Sequence, residues 1–226
     1  MACLLGGLMS ACGSSAGNAP AGAPEGEPPP TRFDPAMAVF VYACSDGFGF
    51  TVAVGKDGAL IFLPAGPVLL PHVPSGSGAR YANESTTFWS KGEEAMLLLA
   101  GVERRGCLSD RAAAIRESAR LRGVDYRAVG NEPGWHLEIT DEGFSRYVGD
   151  YGATVIEFPT PRPGSPRNNG ERTYIWSDGV SRIAVSLLPE PCQDTMADLD
   201  YPWTASIDVN GRVLNGCAWA LSKGPH

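Results

Sequence analysis

Ser77 and Lys91 are the residues whose types and spacing could do chemistry. Ser77 lies in Ser75-Gly76-Ser77-Gly78-Ala79-Arg80-Tyr81, and Lys91 in Phe88-Trp89-Ser90-Lys91-Gly92. A serine hydroxyl can accept a hydrogen bond from a protonated carboxylic acid and donate one to a carboxylate, while an ammonium supplies an opposing charge. Gly76 and Gly78 let the backbone enter a narrow space and take positive φ where a turn demands it. A small polar loop beside a lysine on a stiff aromatic strand therefore suits insertion into another protein's acidic cleft, and the expectation is an inhibitor. Each charge-assisted bond would contribute about 1.5–3 kcal/mol. Standing alone, the loop reads as a flexible surface turn and Lys91 as a solvated charge beside Glu93 and Glu94. Trp89 reads as core.

The elements that must hold these residues are short strands. Val39 to Cys44, Phe48 to Val54, Ala59 to Leu63, Val68 to Val73, Thr87 to Ser90 and Ala95 to Val102 are apolar or alternating, with Asp46-Gly47 and Asp57-Gly58 as turn signals. This pattern predicts a small antiparallel barrel or sandwich. Ser109 to Arg122 reads as a helix capped by Ser109 and stopped by Gly123, with a thin stripe of Ala112, Ile115 and Ala119. It joins a first unit, residues 37–108, to a second antiparallel β unit, residues 125–222. The second shows strand candidates at Trp135 to Thr140, Gly143 to Val148, Thr154 to Phe158, Thr173 to Trp176, Ser181 to Leu188, Thr204 to Val209 and Arg212 to Ala220. Asn210-Gly211 is a strong hairpin turn, and Pro159 to Gly170 a long loop. The second unit does not visibly repeat the first unit's sequence.

A chain of 226 residues with a formal net charge of −7 has room for two modest cores and lacks the basic stripe that a nucleic-acid partner calls for. Residues 38–107 carry five basic and six acidic side chains, and residues 126–226 eight and thirteen, so the acidity belongs mainly to the second unit. The six cysteines show no C-x-x-C spacing and there are three histidines, which argues against a metal site. The last four cysteines fall two per unit, suggesting bridges Cys44 to Cys107 and Cys192 to Cys217 in an oxidising compartment; the alternative is buried free thiols. Leu4, Leu5, Leu8 and Met9 before Ser10-Ala11-Cys12 resemble the end of a bacterial lipoprotein signal, with Cys12 as the acylated first residue. The expected positive front is missing, so the true start lies upstream or the signal is atypical. The alternative is a degenerate signal of a soluble periplasmic protein. Residues 13–36, rich in Gly, Ala and Pro, read as a disordered tether.

Tyr42-x-Cys44, Ser77-Gly78-Ala79-Arg80-Tyr81, Phe88-Trp89-Ser90-Lys91-Gly92-Glu93-Glu94-Ala95 and the closing Cys107 resemble the membrane-bound and periplasmic inhibitors of c-type lysozyme, the MliC/PliC family, over residues 39–107. The resemblance implies an eight-stranded antiparallel barrel stapled by one disulfide, with c-type lysozyme as the partner. It implies a lysozyme-binding set of Ser77, Gly78, Tyr81 and Lys91 with Trp89 and Arg80 in support, no cofactor and no catalysis. The physics is coherent, because a retaining glycosidase sets a raised-pKa acid against an ionised carboxylate. Localisation follows as the envelope, lipid-anchored through Cys12 and facing the periplasm, at the outer membrane. In the second unit, Gly130-Asn131-Glu132-Pro133-Gly134-Trp135, Cys192-Gln193-Asp194-Thr195-Met196 and Gly216-Cys217-Ala218 resemble an uncharacterised bacterial lipoprotein domain, which implies a location rather than an activity. Glu132, His136, Glu138, Asp194 and Asp198 could be imagined as an acid/base group, yet no spacing selects a reaction class. The alternative for the whole chain is a structural or cell-wall-binding envelope lipoprotein without inhibitory activity.

Overall fold

In the computed structural model, residues 33–165 and 168–221 are described; the lipoprotein-signal expectation on Cys12 lies outside them. The first sheet comprises β1 (Ala38–Ala43), β2 (Gly49–Gly55), β3 (Gly58–Leu63), β4 (Gly66–Leu70), β5 (His72–Val73), β6 (Ala79–Ala82), β7 (Thr86–Lys91), β8 (Glu94–Leu99) and β9 (Val102–Ser109). After helix α1 (Arg111–Leu121) the second runs through β10 (Tyr126–Asn131), β11 (Gly134–Ile139), β12 (Phe144–Gly149), β13 (Thr154–Pro159), β14 (Arg172–Ser177) and β15 (Arg182–Leu188). A separate hairpin of β16 (Cys192–Asp194) and β17 (Leu199–Tyr201) interrupts it before β18 (Trp203–Val209) and β19 (Arg212–Ala220).

Both sheets are antiparallel and nearly closed. The first has the order β4-β3-β2-β1-β9-β8-β7-β6-β5. Its two edge strands are one run of chain broken at Pro71, which has no N–H to give to a ladder. Before the break the run pairs with β3 and after it with β6, and the Pro71 carbonyl still accepts from Ala82 N at 3.1 Å. The strand that changes partners thus brings the barrel to eight strand positions. The second sheet has the order β13-β12-β11-β10-β19-β18-β15-β14. Its winding is the same: three strands step away from the first, four return, and the last pairs with the first. The open seam between β13 and β14 is covered by Phe158 stacked on Trp176 at 5.1 Å.

Period-two alternation explains the interiors. Phe50 and Val52 of β2, Phe88 of β7 and Leu97 of β8 point inward with Tyr42 and Tyr81. Trp135 and Leu137 of β11, Val185 and Leu187 of β15 and Ile207 of β18 fill the second barrel. A further cluster lies on the outer face of the first, where Met37 covers Ala53 and Leu60, both fully buried, and Phe33 packs alongside. Packed chain therefore begins inside the stretch expected to be tether. The disulfides join Cys44 to Cys107 and Cys192 to Cys217.

The helix begins one residue later than its sequence suggests. Ser109 finishes β9, and Asp110 is the cap, its carboxylate accepting from Ala113 N at 2.9 Å. Asp110 N donates to Val41 O at 2.8 Å, fixing the helix to β1. On its other side Ala119 is buried with Val124, Leu221 and partly buried Trp219, so the helix packs on both barrels.

Candidate protein-binding site

β6 starts at Ala79 and β7 ends at Lys91, and Ala79 pairs with Ser90. This register sets the 74–78 loop and the β7–β8 turn at the same end of the barrel. Gly78 brings them together. It has φ +66, and a side chain there would place Cβ 2.2 Å from Ser90 O and 3.1 Å from Lys91 Cβ. A residue other than glycine would be strained and in collision, so the close approach of loop to strand depends on this position.

Alternation turns Trp89 outward. Its ring is 39% exposed, which corrects the core placement expected from sequence, because Phe88 takes the inward position. The indole instead lies on the rim and Nε1 donates to Ser77 O at 2.8 Å. Ser75 Oγ donates to Gly78 O at 3.0 Å, closing the loop from its other side. Ser77 is thereby held through its own carbonyl, which leaves its hydroxyl free of that task. Beneath the rim the hydroxyls of Ser90 and Tyr42 are hydrogen-bonded, and burial pushes the Tyr42 pKa up.

Lys91 is exposed and is the last residue of β7 before a two-residue turn, Gly92-Glu93, in which Gly92 has φ +62. No ion pair among the described residues engages its ammonium, although Glu94 lies opposite in register. Tyr81 is not on this surface. It is 7% exposed and packs between Phe88, at 6.0 Å, and His72, at 5.3 Å, and burial raises its pKa. Its place is in the barrel interior, on the strand that follows the loop. Arg80 is exposed and lies directly across from Trp89. The structure thus gathers Ser77, Gly78, Trp89 and Lys91 at one rim with Arg80 beside it.

That rim falls within a recognisable stretch. Residues 42–104 match the MliC family, described as membrane-bound lysozyme-inhibitor of c-type lysozyme. The MliC match spans β1 to β9 and includes both the serine loop and Lys91. No curated protein and no solved structure matches the chain.

The acid/base candidates of the second barrel do not form one constellation. Glu132 sits in the exposed β10–β11 turn, and Trp135, two residues beyond Pro133, enters the core. Asp194 is a turn-forming group, its Oδ1 accepting from Met196 N at 3.0 Å and Ala197 N at 3.2 Å. Asp198 is exposed. Glu138 is engaged by Arg122 through bonds of 2.7 and 2.8 Å, with Arg127 3.4 Å away. His136 is half-buried beside it, and its pKa is lowered by burial and by Arg127. Sequence reasoning passed over Arg127 and Tyr151, whose placement depends on strand pairing and on a strained turn. Among the described residues no group of three His, Cys, Asp or Glu side chains is set to hold a metal.

Proposed function

We propose that this chain inhibits a c-type lysozyme by inserting the Ser77 loop and Lys91 into the enzyme's active-site cleft. The serine hydroxyl addresses the two catalytic carboxyl groups and the ammonium offsets the ionised one. The inhibitor has no catalytic residue of its own. Tyr81 holds the loop from within, Trp89 holds it by its carbonyl, and Arg80 flanks it. In the cell the chain is tied to the envelope through acylated Cys12, faces the periplasm from the outer membrane and protects peptidoglycan.

One observation carries this reading: the Gly78 backbone lies against Ser90 and Lys91, so hydroxyl and ammonium project from one rim inside the stretch that matches the inhibitor family. Both groups are exposed and neither is tied up by an ion pair among the described residues. The test is lysis of a peptidoglycan suspension by a c-type lysozyme. The parent chain should slow lysis, and Ser77→Ala with Lys91→Ala should weaken inhibition by about a hundredfold or more, the loss of two charge-assisted bonds, without lowering the melting temperature. Undiminished lysis in a large molar excess of the parent chain would sink the proposal.

A further inference from the structure

The second barrel carries on its outer wall a cleft of about 480 Å³. Its floor is the outward side of β10 and β11, because Tyr126, Ala128, Trp135 and Leu137 take the inward positions. Arg127, Asn131 and His136 therefore face out. An outward barrel face normally meets water, but this one is walled on three sides. Ala112 and Ile115 of α1 form one wall, Tyr201 of the β16–β17 hairpin a second and Tyr151 of the Asp150–Gly152 turn the third.

The hairpin wall is fastened in three ways. Cys192 is bonded to Cys217 of the barrel, Tyr201 stacks on Trp219 with centroids 4.1 Å apart, and Asn131 Nδ2 donates to Asp194 Oδ1 at 2.6 Å. The tyrosine wall is held against backbone preference. Asp150 and Tyr151 have φ of +49 and +55, two successive non-glycine residues in the left-handed region. Such conformations cost free energy and cluster where function requires them. The ring rests on Gly134, where a Cβ would lie 2.9 Å from its carbons, yet it is 82% exposed. Core packing does not account for a tyrosine placed this way.

The floor carries one guanidinium, Arg127, and the hairpin wall one carboxylate, Asp194, which already accepts from Asn131 Nδ2 and from the N–H groups of Met196 and Ala197. Arg127 shares the carboxylate of Glu138 with Arg122. The Arg127 side chain is 12% exposed, and its buried Nε faces Glu138 Oε1 at 3.4 Å, which leaves the outer nitrogens of the guanidinium as the spare donors. A planar guanidinium with spare donors in a partly dry site favours a carboxylate. Around it His136 and the Asn131 Oδ1 offer hydrogen bonds, the Tyr151 hydroxyl, which donates to Asn131 O at 3.5 Å, can accept one, and the Tyr151 ring offers a flat apolar face. A sugar ring presents that same pairing, an apolar C–H face edged by hydroxyl and amide groups. We propose that this cleft binds a saccharide bearing a carboxylate, the carboxylate on Arg127 and the sugar ring against Tyr151.

The proposal concerns the other barrel and does not rest on the lysozyme reading. It is tested by titration calorimetry of the full chain with two probes: the disaccharide of N-acetylglucosamine and N-acetylmuramic acid, and chitobiose, which lacks the carboxylate. Saturable binding of the acidic disaccharide, about tenfold or more tighter than chitobiose, is expected. Tyr151→Ala removes an exposed ring and should weaken the acidic disaccharide by about tenfold at unchanged melting temperature. Arg127→Lys keeps the charge but not the fork, and should abolish the preference between the probes. The site is overturned if neither probe binds at millimolar concentration or if Tyr151→Ala binds as the parent does. Equal affinity of the parent for both probes overturns the role of the carboxylate.

Discussion

In the first barrel the first and last strands, β1 and β9, meet over two residue pairs, Tyr42 with Ser109 and Ala43 with Leu108. In the second the corresponding strands, β10 and β19, meet over four. The disulfides follow this difference. Cys44–Cys107 crosses the short seam, whereas Cys192–Cys217 leaves the longer seam alone and ties an external hairpin to the wall. One winding has thus been finished in two ways. The first barrel keeps tight turns and concentrates exposed chemistry at a rim; the second adds a hairpin and a strained turn and builds a cleft on its side. A rim suits reaching into a partner, and a walled side suits receiving a small molecule.

Removing each disulfide in turn is the strongest way to break this contrast. In the chain-entropy model, closing the long Cys44–Cys107 loop contributes about 4 kcal/mol, and Cys192–Cys217 roughly 3 to 4 kcal/mol. The seam bridge constrains the whole barrel, so Cys44→Ser with Cys107→Ser should lower global stability by nearly the full amount in a denaturant titration and abolish lysozyme inhibition. Cys192→Ser with Cys217→Ser should spare inhibition and release the hairpin, which limited proteolysis would detect as new cleavage between residues 192 and 201. Equal loss of global stability from both pairs would remove the distinction.

Gly78→Ala probes the rim more locally. The new Cβ meets the Ser90 carbonyl at 2.2 Å, and φ +66 is unfavourable for alanine, so the loop must lift from Lys91. A destabilisation of about 1–3 kcal/mol is expected, with a loss of inhibition larger than Trp89→Phe produces through its single bond to Ser77. Inhibition unchanged by Gly78→Ala would show that the joint between loop and lysine does not matter.

The rim was more legible in the sequence than the cleft, for a physical reason. Ser77, Gly78 and Lys91 lie within fifteen residues on one hairpin, where local register places them. The cleft draws on β10, β11, α1 and a hairpin some sixty residues further on, and β10 itself reads poorly because Gly130 and Asn131 end a short strand. Strand β9 was hidden by Glu103, Arg104 and Arg105, and its preceding turn by Ala100, which takes φ +49 where asparagine or glycine is usual. Asn210-Gly211, by contrast, announced the β18–β19 turn that the structure contains, with φ of +54 and +88. The common winding of the two sheets left no trace in composition, because barrel order is fixed by which edges meet and not by the pattern along any one strand.

The smallest expected effect sharpens the account of the cleft floor. His136 lies among Arg127, Arg122, Arg146 and Glu138, and burial first, then Arg127, holds its pKa below 6.5. Above that value the imidazole is neutral in both folded and unfolded chains and contributes no pH dependence. As pH falls through 6.5 the unfolded chain takes up a proton that the folded chain resists, so stability declines until the folded pKa is passed. His136→Gln removes this contribution while keeping a hydrogen-bonding side chain. Melting temperatures measured from about pH 8 to about pH 5 should run parallel for parent and variant at the upper end and separate at the lower, the parent falling more steeply. Parallel curves throughout would mean that burial and Arg127 do not hold His136 against protonation at the cleft floor.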